Sequence, residues 1–257
     1  MKKLYLIGIG SGNPKHLTVE AVEVLKAIDV FFIFEKDREN SSEINKIRKE
    51  ILNYYLNENS YRVVNLKVSK RKKGGDLQSY VQKVLNWRIK KAEALAEGIN
   101  NHLRDGENGC LLIWGEPSIY DGHIEIVRYI LNRGLSNFDY EIIPGISSFQ
   151  VLAAKHKISL SSVGENIHLT TGRRLRQMDE KDIENTLVLL DNYHTYKKFS
   201  TSNLNIYWGC YLGLSDEIIL SGKLRECLPE IERIRKKKRE EKGWIMETYL
   251  LRKEDED

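Results

Sequence analysis

Proline is scarce, with four in 257 residues, which leaves no room for long proline-rich linkers. Cysteine is scarcer. Cys110, Cys210 and Cys227 lie far apart and form no CxxC pair. Neither a zinc site nor a disulfide framework is expected from them, and a reducing, cytoplasmic setting fits. The six histidines share no metal-ligand spacing, so no metal is expected. The apolar stretch at residues 4–9, behind Lys2 and Lys3, is stopped by glycines. It is too short for a signal-peptide core or a membrane span. A strong charge of one sign is also missing. The net charge of +4 favours an acidic ligand slightly but falls short of the basic stripe of a nucleic-acid binder.

What is present is ordinary for a globular chain: 41% hydrophobic and 30% charged residues, at a length that can bury two modest cores. The first half alternates short apolar runs with helix-period segments. Strands are expected at 4–9, 30–34, 61–68, 110–114 and 140–143. Helices are expected at 18–28, 41–57 and 123–133, and 77–105 reads as one long helix or a broken pair. This alternation implies an α/β fold with a mostly parallel sheet, whose ligands sit beyond the carboxyl ends of the strands. After a helix at 148–156 the pattern changes. Strands at 167–171, 187–191, 205–212, 217–224 and 244–251, with one clear helix at 229–241, suggest a mixed sheet. Two domains follow, residues 1–140 and 141–257. No internal repeat is visible, and the only biased segment is the acidic tail at 254–257.

Four segments carry candidate chemistry. Gly8-Ile9-Gly10-Ser11-Gly12-Asn13-Pro14 follows a strand and precedes a helix. Its GxGxG spacing and Asn-Pro insert argue against a dinucleotide fingerprint and hence against an NAD(P)-dependent oxidoreductase. A functional loop is expected, since a tight turn does not need three glycines. Trp114-Gly115-Glu116-Pro117-Ser118-Ile119-Tyr120-Asp121 ends an apolar strand. Glu116 there is either part of a simple strand-to-helix turn or a carboxylate that holds an amino group. In Ile142-Ile143-Pro144-Gly145-Ile146-Ser147-Ser148, Ser147 or Ser148 is a natural helix cap, and both can also meet a ligand's polar edge. His168-Leu169-Thr170-Thr171-Gly172-Arg173-Arg174-Leu175-Arg176 is either a solvated basic turn or a receptor for carboxylates. The basic runs at 70–73 and 233–242 read as solvated, and His123 as a structural histidine.

These segments in this order resemble the tetrapyrrole methylases, the C-methyltransferases of cobalamin and sirohaem synthesis, over essentially the whole chain. The stretches AIDVFFIFEK, VQKVLNWR, HLTTGRRL, WGCYLG and GWIMETYLLR narrow the likeness to the branch that methylates a ring carbon and releases acetate. The resemblance implies a homodimer of two-domain chains, with S-adenosylmethionine folded into the cleft between the domains. It implies cofactor contacts at Gly115, Glu116, Pro117, Tyr120, Ser147, Ser148, Asp191, Gly209 and Cys210. It turns the first loop, with Gly10, Ser11, Gly12 and Pro14, toward the tetrapyrrole. A polycarboxylate substrate gives Arg173 and Arg174 a purpose. Two positions depart from the family pattern: Glu116 replaces the usual aspartate, and Cys210 a more common alanine. Deacetylation needs a general base, and Glu35, beside Lys36 at the end of the second strand, is the candidate. The alternatives are a methylase of different regiospecificity, one acting on a protein side chain, or a tetrapyrrole-binding protein without catalysis.

Overall fold

A computed structural model of the chain describes residues 1–35, 39–57, 60–69 and 77–253. Lys36, the basic loop at 70–75 and the acidic tail lie outside the described residues. The chain divides into two compact units, Met1–Ile146 and Ser147–Asp257.

The first unit is built on β1 (Lys3–Gly8), β2 (Val30–Glu35), β3 (Arg62–Lys67), β4 (Asn108–Ile113) and β5 (Asp139–Ile143), in the order β3-β2-β4-β1-β5. Every pairing is parallel. β5 straddles residue 140 and belongs to this sheet because it pairs with β1 from Lys3↔Asp139 to Ile7↔Ile143. The central strands are apolar on both faces, as a parallel sheet covered by helices requires. β4 has Cys110, Leu111, Leu112 and Ile113 all buried. The helices are α1 (Val19–Leu25), α2 (Glu39–Tyr55), α3 (Leu77–His102) and α4 (His123–Asn132). Thr18 caps α1, its hydroxyl accepting from Ala21 N at 3.1 Å. α3 runs unbroken for 26 residues and buries Ala92, Leu95, Ala96 and Ile99 against Phe32, Leu111 and Ile126.

The second unit contains α5 (Ser148–His156), β6 (Ile167–Thr171), α6 (Gly172–Leu175), β7 (Asn185–Leu189), β8 (Leu204–Cys210), β9 (Ile218–Lys223), α7 (Leu224–Lys242) and β10 (Glu247–Lys253). The strand order is β6-β7-β10-β8-β9. β6 and β7 are parallel and the other pairs antiparallel, so the sheet is mixed as expected. The largest boundary difference from the sequence reading is at α7. α7 starts at Leu224, five residues before Pro229, and carries the proline inside it. Leu224 and Cys227 already lie on the buried face that continues through Ile231, Ile234 and Arg235. Burial of that stripe offsets the missing hydrogen bond at the proline. Gly243 ends the helix at φ 71°, its N–H donating to Arg239 O at 2.9 Å.

Candidate functional site

Three parallel strands, β1, β4 and β5, end together, and glycine makes that possible. A Cβ on Gly8 would lie 2.6 Å from Gly145 N and 2.9 Å from Gly115 O, and one on Gly145 would lie 2.3 Å from Gly115 O. Backbones therefore touch where side chains would normally stand. Gly10 and Gly115 exchange main-chain hydrogen bonds of 3.2 and 2.8 Å. Three of the four prolines, Pro14, Pro117 and Pro144, fall in these same loops and stiffen them.

The first loop turns inward. Gly10, Ser11 and Gly12 are buried and Pro14 is half-buried. The Ser11 hydroxyl meets His16 Nδ1 at 3.3 Å, and Tyr55 OH donates to Pro14 O at 2.8 Å. In the second loop, Glu116 is occupied at both oxygens. Oε2 accepts Gly145 N at 2.7 Å, and Oε1 accepts Ser118 N at 3.0 Å and Ser118 Oγ at 2.7 Å. The carboxylate thus ties the β4 loop to the β5 loop. A Cβ on Gly115 (φ 73°) would meet nothing within 4 Å, so open space lies above this glycine, while Pro117 beside it is buried. Tyr120 is 48% exposed at φ 51°. A bulky residue held in the left-handed region marks a place where the surroundings enforce strain.

Directly after Tyr120 comes a cluster that the sequence reading missed. Asp121 Oδ1 accepts from His123 N at 2.8 Å and pairs with His123 Nδ1 at 2.6 Å. His123 Nε2 lies 2.7 Å from the Nζ of Lys91 on α3. Lys91 is 5% exposed and sits over the rings of Phe34 and Trp87, 4.0 and 5.0 Å from their centroids. Burial raises the Asp121 carboxyl, but the hydrogen bonds and charge of His123 outweigh it and hold it below its ordinary value. Burial, with Lys91 alongside, pulls His123 below its ordinary value against the opposing pull of Asp121. Arg48 on α2, its Nε donating to Leu112 O at 3.1 Å, is lowered by burial to about 10. The local spacing Asp121-Gly122-His123 was a readable signal. Lys91, 32 residues away from His123, was not. Glu35, the candidate base, ends β2 with an exposed side chain.

In the second unit the candidate residues gather at one edge of the mixed sheet. Thr171, Leu189, Thr248 and Gly209 stand in register across β6, β7, β10 and β8. Ser147 caps α5, its N–H donating to Gln150 Oε1 at 2.8 Å. Ser148 Oγ meets Thr248 Oγ1 at 2.8 Å. Thr248 went unnoticed in the sequence because its partner is 100 residues away. Gly209 admits α5, since a Cβ there would lie 2.9 Å from Leu152 Cδ1. The Cys210 thiol is fully buried in the core beside Trp208, and burial pushes it up to about 12. The Cys210 side chain is therefore out of reach of solvent at this edge.

Asp191 is 4% exposed and fully engaged. It accepts Tyr193 N, Thr195 N, Thr195 Oγ1 and Tyr249 OH at 2.7–2.9 Å. Gly172 gives it room, because a Cβ there would lie 2.2 Å from Asp191 Oδ1. The residue before it, Leu190, is 61% exposed at φ 56°: an apolar side chain held outward at a strand end. Arg173 and Arg174 ride on the short α6, Arg173 half-buried and Arg174 exposed, with Leu175 buried beneath them. Beside them a cavity of about 510 Å³ is lined by Arg176, Tyr193, His194, Thr195 and Lys198. Among the described residues no cluster of His, Cys, Asp and Glu could hold a metal ion.

The family model for Tetrapyrrole (Corrin/Porphyrin) Methylases matches residues 3–228. The chain belongs to this family. Among the tetrapyrrole methylases it is 38% identical to the precorrin-6A synthase [deacetylating] of a Sinorhizobium species, over 98% of this chain and 96% of that protein. It is 28% identical to a Methanocaldococcus jannaschii protein named "Probable cobalt-precorrin-2 C(20)-methyltransferase", over 88% and 90% of the two chains. The crystal structure of a Corynebacterium diphtheriae cobalamin synthesis related protein (CobF) superposes with a TM-score of 0.83 at 30% identity, covering 99% of this chain and 100% of that one.

Proposed function

We propose that this tetrapyrrole methylase converts precorrin-5 to precorrin-6A, methylating C-1 of the macrocycle with S-adenosylmethionine and releasing acetate. The observation that carries the reading is the 38% identity, spanning nearly the full length of both chains, to a synthase whose name specifies deacetylation. That likeness favours it over a methylase of other regiospecificity or a non-catalytic binder. The open space above Gly115 and the strained, exposed Tyr120 fit a bulky cofactor, which supplies the electrophilic methyl when bound. Gly115, Pro117, Tyr120, Ser147, Ser148 and Gly209 are the proposed cofactor contacts. The bonds made by Glu116 and Asp191 favour a supporting role for both, with each carboxylate shaping its loop. Arg173 and Arg174 are the proposed receptors of substrate carboxylates.

The chain's task is chiefly to position two large partners in line and to exclude water from all but the acetyl group. A homodimer in the cytoplasm belongs to the same reading. The three cysteines are free thiols, which suits a reducing compartment, and sedimentation measures the dimer. The test is anaerobic incubation with precorrin-5 and S-adenosylmethionine, with mass spectrometry of the product. A product that gains a methyl and loses an acetyl group supports the reading. A methylated product that keeps its acetyl group refutes it while leaving the family assignment intact.

A further inference from the structure

The cluster on α3 and at the start of α4 has a chemistry that loop construction does not require. Asp121 could hold its loop by accepting the His123 main-chain N–H alone. Instead it also engages Nδ1 at 2.6 Å. This fixes the proton of the neutral ring on Nδ1 and leaves the Nε2 lone pair facing Lys91. Lys91 is 5% exposed, so its ammonium is shielded from bulk water and held 2.7 Å from that nitrogen. The charged groups facing His123 are Asp121, Lys91 and Arg48. Arg88 of α3 stands close by against Gly122, where a Cβ would lie 2.6 Å from its Nε. Phe34, which touches both the His123 ring and the Lys91 ammonium, immediately precedes Glu35 at the carboxyl end of β2. The cluster therefore adjoins the sheet edge where this fold places ligands.

We propose that Asp121, His123 and Lys91 form the proton relay of the deacetylation step, with Lys91 as the acceptor of the water proton. As water adds to the acetyl carbonyl carbon, Lys91 takes its proton and in the same step passes one of its own to His123 Nε2, where Asp121 stabilises the imidazolium. The bond between that carbon and the macrocycle breaks, its electron pair stays on the ring carbon, and acetic acid leaves. The ring carbon then takes the methyl group. Two protons are released in all, one from water through the relay and one from acetic acid. Asp121 and His123 are positioning residues that act through Lys91. Glu35 is then left to contact substrate without serving as the base.

This inference rests on the proposed function, and two measurements separate them. The first needs no substrate: nitrogen NMR of the resting protein is expected to show His123 neutral at pH 7 with its proton on Nδ1. A proton on Nε2, or a charged ring, overturns the relay whatever the enzyme makes. The second compares His123→Gln and Lys91→Met with the parent enzyme on precorrin-5. General-base loss costs about 100-fold or more in rate, so acetate release should fall by at least that factor. Affinity for S-adenosylhomocysteine should stay within about twofold, and the lost rate should return as pH rises and hydroxide replaces the base. Parent-like acetate release in both variants overturns the relay. So does a His123→Gln enzyme whose rate loss shows no recovery at high pH. Should Lys91→Met fail to fold, His123→Gln with the NMR result decides.

Discussion

The two sheet edges that carry the candidate residues are built by opposite means. At the first, three strand ends touch through bare backbone at Gly8, Gly115 and Gly145, and short sequence motifs hold the loops. At the second, side chains far apart in sequence do the holding. Arg235 of α7 pairs with Glu247 of β10, both almost fully buried. Glu247 also accepts Trp208 Nε1 at 2.9 Å, and the next residue, Thr248, meets Ser148. One edge is shaped by the absence of side chains and the other by a network of them. The first should fail by steric clash and the second by loss of partners.

The largest effect is expected at the second edge. Arg235→Met strands the Glu247 carboxylate without its cation and should cost about 3–5 kcal/mol, read by urea denaturation. The double variant Arg235→Met/Glu247→Leu should regain a large part of it, because an apolar pair needs no ionic partner. At the first edge, Gly145→Ala should cost about 1–3 kcal/mol through overpacking. Gly106→Ala sharpens the contrast: at φ 85° with nothing within 4 Å of its Cβ, it should cost only the left-handed penalty of about 1–2 kcal/mol. Equal costs for all the single variants would erase the distinction. Thr248→Val removes one hydrogen bond and should cost about 1 kcal/mol. The smallest effect is a slope. His123 is held below its ordinary value of 6.5, so the unfolded chain binds its proton first and stability falls as pH drops below about 6.5. His123→Gln should flatten that slope in part, with the contribution of His156, also lowered by burial, remaining.

What could be read in the sequence follows the same division. The parallel sheet, the mixed sheet and the three loops at the first edge were legible because each is a local pattern. An apolar run ends at Gly8, Ile113 or Ile143, and glycine and proline punctuate it. Ser147 was legible as a helix cap for the same reason. The second edge was not. Nothing near Thr248 announces Ser148, and nothing near Asp191 shows that Gly172, Thr195 and Tyr249 surround it. The hydrogen bonds that occupy Glu116 and Asp191 were equally hidden, because a carboxylate at a strand end looks available until its partners are known. Pro229 misled. It pointed to a helix start, and the buried stripe from Leu224 overrode it.

The central claim is that one chain couples methyl transfer to acetate release. The most direct measurement uses S-adenosylmethionine with a labelled methyl group and counts label incorporated against acetate formed in the same anaerobic reaction with precorrin-5. The account predicts one acetate for each methyl transferred throughout the time course. Methyl incorporation without acetate, or acetate release unaffected by omitting S-adenosylmethionine, would contradict it.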